Sequence, residues 1–138
     1  LELTKKENCN MTRLIIDAAK DKIFLMIINK DTTYSIKFEN TKNNYERLTL
    51  LINEFLIKQN LNLKQISEIY VNKGPGSFAG IRNSLSIVKA FHMVNKIDYY
   101  CFSFDDFEEK IDVKYENVPK LCKKLKVKKN LINPIYLS

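Results

Sequence analysis

All three glycines of this 138-residue chain lie in one segment, Gly74-Pro75-Gly76-Ser77-Phe78-Ala79-Gly80. Glycine averages about 7% of a soluble protein, so roughly ten would be expected in a chain of this length. A chain with so few glycines that places every one in a single loop needs a special backbone conformation there. The loop follows an apolar segment and precedes an amphipathic one, so it turns a strand into a helix.

The spacing of this loop does not match the two common phosphate-binding loops. A Walker A loop needs Gly-Lys-Ser/Thr, which is missing here. A dinucleotide fingerprint reads GxGxxG after the first strand, whereas this loop reads GxGxxxG after the fourth predicted strand. We therefore interpret the loop as structural, with phosphate binding as the alternative. Pro75 fixes one φ angle, Ser77 caps the helix, and Gly80 lets another backbone come close.

The hydrophobic pattern predicts an α/β fold. Apolar or alternating segments predict five strands, at residues 13–17, 23–29, 32–38, 68–72 and 98–102. Helical periodicity and caps predict four helices, at residues 43–60, 79–95, 103–110 and 118–125. Asp31 fits a hairpin turn, Ser103 a helix cap, and Pro119 a first helical position. The order βββαβαβα predicts a mixed five-stranded sheet with helices on its faces.

Both long predicted helices are apolar over more than one stripe. One stripe can cover the sheet, and the other can contact a partner helix. We predict a partner interface whose division between the two faces is left open; it draws on Tyr45, Leu50, Ile57, Ile81, Arg82, Leu85 and Val88. The alternative is that both stripes are core. If the interface holds, Leu85→Glu should abolish partner binding and leave circular dichroism nearly unchanged.

The net charge of +7 is concentrated at the end of the chain. Residues 117–138 hold no acid and six lysines: Lys120, Lys123, Lys124, Lys126, Lys128 and Lys129. Such a stretch attracts phosphate backbones, so these lysines are candidate nucleic-acid contacts. A solvated polar helix face is the alternative explanation.

The cysteine and histidine content excludes several classes of site. Cys9, Cys101 and Cys122 are odd in number and form no CxxC pair, which favours a reducing cytoplasm over a disulfide framework. His92 is the only histidine, so paired-histidine metal sites are excluded, and we expect no metal and no cofactor. The sequence contains no run of 18 apolar residues, so no membrane span is predicted. Residues 1–10 lack the apolar centre of a signal peptide and are interpreted as an extension.

The segment from Gly74 to Arg82 resembles the signature of the TsaB (YeaZ) family, Gly-Pro-Gly-Ser-Phe-Thr-Gly-Leu/Val-Arg. Eight of the nine positions fit, and Ala79 replaces the threonine. Leu14-Ile-Ile-Asp-Ala18 resembles the family's opening strand, and Asn133-Pro-Ile-Tyr-Leu137 its terminal Pro-x-Tyr-Leu. Family members are longer and carry a second, smaller domain. We therefore expect a short form, made of an extension at 1–10, a lobe at 11–110 and a basic segment at 111–138.

The resemblance implies an actin-like ATPase (ASKHA, ribonuclease H-like) fold that has no catalytic activity. TsaB proteins pair with TsaD, the subunit that transfers a threonylcarbamoyl group to N6 of adenosine 37 in tRNAs reading ANN codons. They do so through helices of the N-terminal lobe, and TsaE joins as the ATPase. Asp17-Ala18-Ala19 lacks the glycine of the Asp-x-Gly phosphate turn of actin-like ATPases, so we interpret Asp17 as a structural or vestigial acid.

The expected function is therefore a cytoplasmic, non-catalytic scaffold that binds and activates TsaD in tRNA modification. A tRNA-binding accessory that uses the lysine tail is the alternative, and a glycoprotease-like enzyme is a third, weaker one. The sequence leaves open whether TsaE is recruited, whether the chain forms a homodimer when alone, and whether a nucleotide binds at the partner interface.

Overall fold

The first three strands form the antiparallel half of the sheet. β1 (Thr12–Asp17), β2 (Lys22–Asn29) and β3 (Thr32–Glu39) are neighbours in that order. β2 is buried on both faces, as its continuous apolar run predicts, whereas β3 is largely exposed and forms one edge. The computed structural model describes three ranges of the chain, residues 11–30, 32–107 and 114–136.

The last two strands form the parallel half. β4 (Ile66–Asn72) pairs with β1, and β5 (Asp98–Phe102) pairs with β4. The sheet order is β3-β2-β1-β4-β5, which confirms the predicted mixed five-stranded sheet. Because β1 and β4 are parallel, Asp17 and the glycine loop after Asn72 meet at the same edge of the sheet.

The first predicted helix is interrupted. Instead of one helix over 43–60, the structure has α1 (Lys42–Glu46) and α2 (Leu48–Lys58), separated at Arg47. Arg47 has φ −104° and ψ 20°, and its N–H bonds to the carbonyl of Asn44, three residues earlier, at 3.1 Å. Asparagines at 43 and 44 have low helix propensity, which agrees with a short α1 that ends before α2 begins.

The second long helix, α3 (Phe78–Asn95), follows the glycine loop directly. The Ser77 hydroxyl accepts a hydrogen bond from the Gly80 N–H at 3.2 Å, which confirms the predicted cap. The helix ends where Lys96 adopts a left-handed conformation with φ 60°.

The last helix, α4 (Val118–Lys124), carries proline in its first turn, as predicted. Before it, Ser103 caps a single 3₁₀ turn, Phe104–Asp106, by accepting from the Asp105 N–H at 3.3 Å. A helix running on through Lys110 is wrong, because Phe107 is already extended and its side chain is buried.

Two cores cover the two faces of the sheet. α2 and α3 pack with alternate residues of β1, such as Leu14 and Ile16, in the larger core. Ile15 faces the other way, into a smaller core that also contains Val118 and Cys122 of α4. Helices therefore lie on both faces, which completes the predicted architecture. Four predicted features lie outside the described residues: the extension at 1–10, the turn residue Asp31, the boundary at 110/111, and Leu137.

Candidate functional site

The glycine loop is held by contacts from the protein's own backbone and side chains. Asn72 Oδ1 accepts from the Gly74 N–H at 2.8 Å, and the Ala19 carbonyl accepts from the Ser77 N–H at 2.8 Å. With the Gly80 N–H bonded to Ser77, these donors of the loop already have acceptors. Three N–H groups of the loop are therefore occupied by the protein's own acceptors, which favours the structural interpretation of the loop over phosphate binding.

Each glycine lets another backbone pass close by. A Cβ at Gly76 would overlap the carbonyl oxygen of Ala19, and one at Gly80 would overlap that of Ala18. Gly74 has φ +109° and faces the carbonyl of Ile135, whose N–H bonds to the Lys73 carbonyl at 2.7 Å. The loop thus joins the turn after β1 to the C-terminal segment, and the close approach predicted at Gly80 is confirmed.

Asp17 is enclosed at the end of β1. Its carboxylate is 1% exposed and accepts from the Ala19 N–H at 3.0 Å and from the Tyr115 hydroxyl at 2.6 Å. The Tyr115 ring stacks on Phe24 with ring centroids 4.0 Å apart and meets Phe104 edge to face. Burial and the neighbouring carboxylate raise the pKa of Tyr115 well above its usual value, so the hydroxyl keeps its proton and donates.

The predicted partner residues divide into two groups. Ile81, Leu85 and Val88 lie in the larger core, each less than 5% exposed, because this stripe of α3 faces the sheet. These three side chains therefore fill the core of the folded chain, and an interface on the exposed surface must draw on the other predicted residues. Leu50 and Ile57 on α2 remain, with 45% and 69% of their surface exposed.

Arg82 and Tyr45 have intermediate positions. The exposed Arg82 guanidinium lies 5.9 Å from the centre of the Phe78 ring, at the start of α3. Tyr45 on α1 is half-buried and packs against the larger core, so only part of its ring can contact a partner.

Sequence reasoning missed an apolar groove beside Ile57. The groove has a volume of about 530 Å³ and lies where the ends of α2 and α3 meet the connection to β4; Asn53, Leu56, Leu61, Leu63 and Asn95 contribute to its walls. Val94 on α3 is 77% exposed and Met93 63%. The spacing of apolar residues along a helix can indicate which side is exposed. Here two stripes are equally apolar, so the spacing does not show which of them faces the solvent.

Groups that could support redox or metal chemistry are buried or dispersed. Burial raises the pKa of the Cys101 thiol to about 11 and that of Cys122 to about 12. His92 Nδ1 donates to the Ile97 carbonyl at 3.0 Å, and its ring packs edge-on to Tyr99, a structural role at the end of α3. Within the ranges that the structure describes, no three His, Cys, Asp or Glu side chains are grouped to hold a metal ion. No helix in those ranges is long and apolar enough to cross a membrane.

Residues 38–103 match the family model described as "TsaD: tRNA N6-adenosine threonylcarbamoyltransferase". Two curated relatives from Buchnera aphidicola are both named "tRNA threonylcarbamoyladenosine biosynthesis protein TsaB". The one from the subspecies Baizongia pistaciae is 30% identical over 82 residues, which cover 59% of this chain and 37% of the relative. The one from Schizaphis graminum is 28% identical over 90 residues, covering 65% and 43%. By these matches the chain is similar to TsaB proteins.

Solved structures share the fold of this chain. YeaZ from Pseudomonas aeruginosa superposes with a TM-score of 0.63 at 18% identity, over 67% of this chain and 44% of that one. At this identity the likeness concerns the fold alone, and this fold agrees with the one expected from the resemblance. The chain spans about two-fifths of the length of the curated TsaB relatives it matches. The matched residues 38–103 contain α1, α2, the glycine loop and α3.

Proposed function

We propose that this chain is a non-catalytic scaffold that pairs with TsaD and activates it for the synthesis of N6-threonylcarbamoyladenosine in tRNA. Similarity to TsaB proteins supports the pathway, because the curated relatives carry it in their names. The proposed partner is the tRNA-modifying transferase itself, so the proposed location is the cytoplasm, where tRNA is modified.

The observation that carries the proposal is the exposed face of α2. Leu50 and Ile57 are seven residues apart, two helical turns, so they lie on the same side of the helix. Both are large, apolar and exposed, while Leu51, Ile52 and Phe55 fill the core on the opposite side. A helix with two apolar sides fits a protein whose second side is covered by a partner helix.

The proposal that the chain is non-catalytic rests on the end of β1. In an actin-like ATPase this carboxylate would face nucleotide phosphates and their metal ion. Here both Asp17 oxygens accept from protein donors, and the residue is 1% exposed. A glycoprotease-like activity has no supporting observation in the described residues.

The pairing is tested by co-expressing the chain with TsaD of the same organism and measuring the complex by gel filtration. We expect a stable complex from the wild type and none from Leu50→Glu/Ile57→Glu. Tyr34→Glu is the matched control, because Tyr34 is 43% exposed, close to the 45% of Leu50, but lies on the edge strand β3. Loss of the complex in the control as well, or its survival in the double variant, would contradict the α2 interface.

Two further partners depend on the same experiment. The elution volume of the chain alone shows whether the exposed α2 face forms a homodimer when TsaD is missing. Adding TsaE to a purified complex of the chain with TsaD shows whether this complex recruits the ATPase. Both are proposals that the resemblance to the TsaB family motivates.

A further inference from the structure

A basic cleft lies between the sheet and α4, on the face opposite to α2 and α3. It has a volume of about 710 Å³ and lies at the start of β1 and β4, whereas Asp17 and the glycine loop lie at the ends of these strands. Its floor is formed by side chains of the sheet, among them Arg13, Glu68 and Tyr70. Its rim is formed by Lys30 and by charged side chains of the C-terminal segment. It is thus separate both from the proposed TsaD surface and from the former phosphate turn.

The floor carries one hydrogen-bonded network. Glu68 accepts from Arg13 Nε at 3.0 Å and from the Tyr70 hydroxyl at 3.0 Å, and the Tyr100 hydroxyl lies 3.5 Å from its other oxygen. The two tyrosine rings stack with centroids 5.0 Å apart. Burial, followed by the charge of Glu68, raises the pKa values of both tyrosines, so both remain donors. The charge of Glu68 is therefore compensated by Arg13 within the floor. The Arg13 guanidinium is held through Nε, and its other N–H groups can donate to a ligand.

The rim carries an excess of positive charge. Lys30, Lys120, Lys123 and Lys126 line the cleft, and within the described ranges none of these lysines makes an ion pair. Glu116 is the acid on the rim. With Arg13 and Glu68 compensating each other, four lysines face one glutamate, a net charge of about +3 in a confined space.

The structure also divides the six lysines of the tail. Lys120, Lys123 and Lys126 face the cleft, whereas Lys129 pairs with Asp98 at 3.7 Å on β5. Lys124 and Lys128 are exposed and do not line the cleft. The tail is therefore more than a diffuse positive charge, because half of its lysines share one surface with Arg13 and Lys30.

We propose that this cleft binds the phosphodiester backbone of RNA, with Lys120, Lys123, Lys126 and Lys30 contacting phosphates and Arg13 held by Glu68 at the floor. Several cations around one concave surface suit a polyanion whose charges repeat along a chain. The choice of tRNA as that RNA rests on the proposed function. The proposal that the cleft binds RNA is argued from its own residues and does not depend on the proposed function. Inorganic phosphates share the chemistry of the ligand, and an acidic protein segment is the competing macromolecule.

The test compares two double variants of the full chain, each of which removes two positive charges from the same segment. Lys120→Gln/Lys123→Gln removes cleft lysines, and Lys124→Gln/Lys128→Gln removes lysines outside it. Binding of a labelled, unmodified tRNA transcript is measured by fluorescence anisotropy over a range of salt concentrations. We expect the cleft variant to bind about tenfold more weakly, with a salt slope lower by about 1.5, and the control to change less than about threefold.

Three results would overturn the proposal. Equal losses in the two variants would show diffuse attraction by the tail, and absence of wild-type binding at low salt would show that RNA is not a ligand. Displacement of tRNA by inorganic tripolyphosphate at a concentration no higher than that of the tRNA phosphates would assign the cleft to a small anion. The cleft variant should still co-purify with TsaD, and Leu50→Glu/Ile57→Glu should still bind tRNA, so the two proposals fail separately.

Discussion

At Gly80 an added methyl group would meet the backbone carbonyl oxygen of Ala18, which cannot rotate away as a side chain can. We therefore expect Gly80→Ala to lower the free energy of unfolding by about 2 kcal/mol. Ser86→Ala, on the exposed side of the same helix, is the control and should change it by less than about 0.5 kcal/mol. Urea denaturation measures both, and a Gly80→Ala protein as stable as the control would refute the close approach.

A second residue-scale prediction concerns the hydroxyl that Tyr115 donates to Asp17 at 2.6 Å. Tyr115→Phe keeps the stacked ring but removes one donor from a buried carboxylate, so we expect a loss of about 1–3 kcal/mol. Tyr136→Phe, at an exposed position, is the matched control and should be nearly neutral. Denaturation curves of the two variants decide it, since similar midpoints would mean that Asp17 does not depend on this bond.

At the scale of elements, the buried sides of the helices contribute to stability, whereas the exposed side of α2 is the proposed partner surface. Leu85 is 4% exposed against the sheet, whereas Ile57 is 69% exposed on α2. A charge introduced at Leu85 would be buried without a partner, so we expect Leu85→Glu to lose 3 kcal/mol or more, on the order of a buried unpaired charge. In contrast to the sequence-based expectation, we therefore expect the circular dichroism of this variant to change.

Ile57→Glu is the control for Leu85→Glu, and we expect it to keep the stability of the wild type to within about 0.5 kcal/mol. Thermal and urea unfolding followed by circular dichroism measure both variants. A folded Leu85→Glu protein with wild-type stability would return that stripe of α3 to the candidate interface.

The elements also show how far sequence reasoning reaches. The five strands follow from local apolar runs, and the Ser77 cap and the close approach at Gly80 follow from residue type and spacing. The partner-facing stripe does not follow, because α3 is apolar on two sides and only the packed sheet shows which side is inside. The bond from Tyr115 to Asp17 joins residues 98 positions apart, and no local pattern encodes it.

For the whole molecule, the two sheet faces carry different proposed tasks. α2 and α3 on one face lie over the larger core and offer the TsaD surface, while α4 on the other face offers the basic cleft. The C-terminal segment connects the two, because Val118 fills the smaller core and Ile135 bonds beside the glycine loop. A protein that holds an enzyme on one side and RNA on the other would act by bringing them together.

The buried acids of both cores predict how the stability of the whole molecule depends on pH. The pKa values of Cys101 and Cys122 are raised to about 11 and about 12 in the folded state, above the 9.0 of an exposed thiol. Between pH 9 and the raised pKa values, the thiols of the unfolded chain release protons that the thiols of the folded chain keep. The free energy of unfolding therefore falls as pH rises. The contribution is fully present below pH 9 and is lost above it.

The measurement is a series of urea denaturation curves between about pH 7 and pH 11 for the wild type and for Cys101→Ala/Cys122→Ala. The double variant should be less stable at pH 7, because it creates cavities in both cores, yet lose less stability with rising pH. The buried tyrosines, whose pKa values are also raised, account for the fall that remains above pH 10. Parallel pH profiles for the two proteins would mean that the thiols are already exposed in the native state, which would contradict the packing of α4 against the sheet.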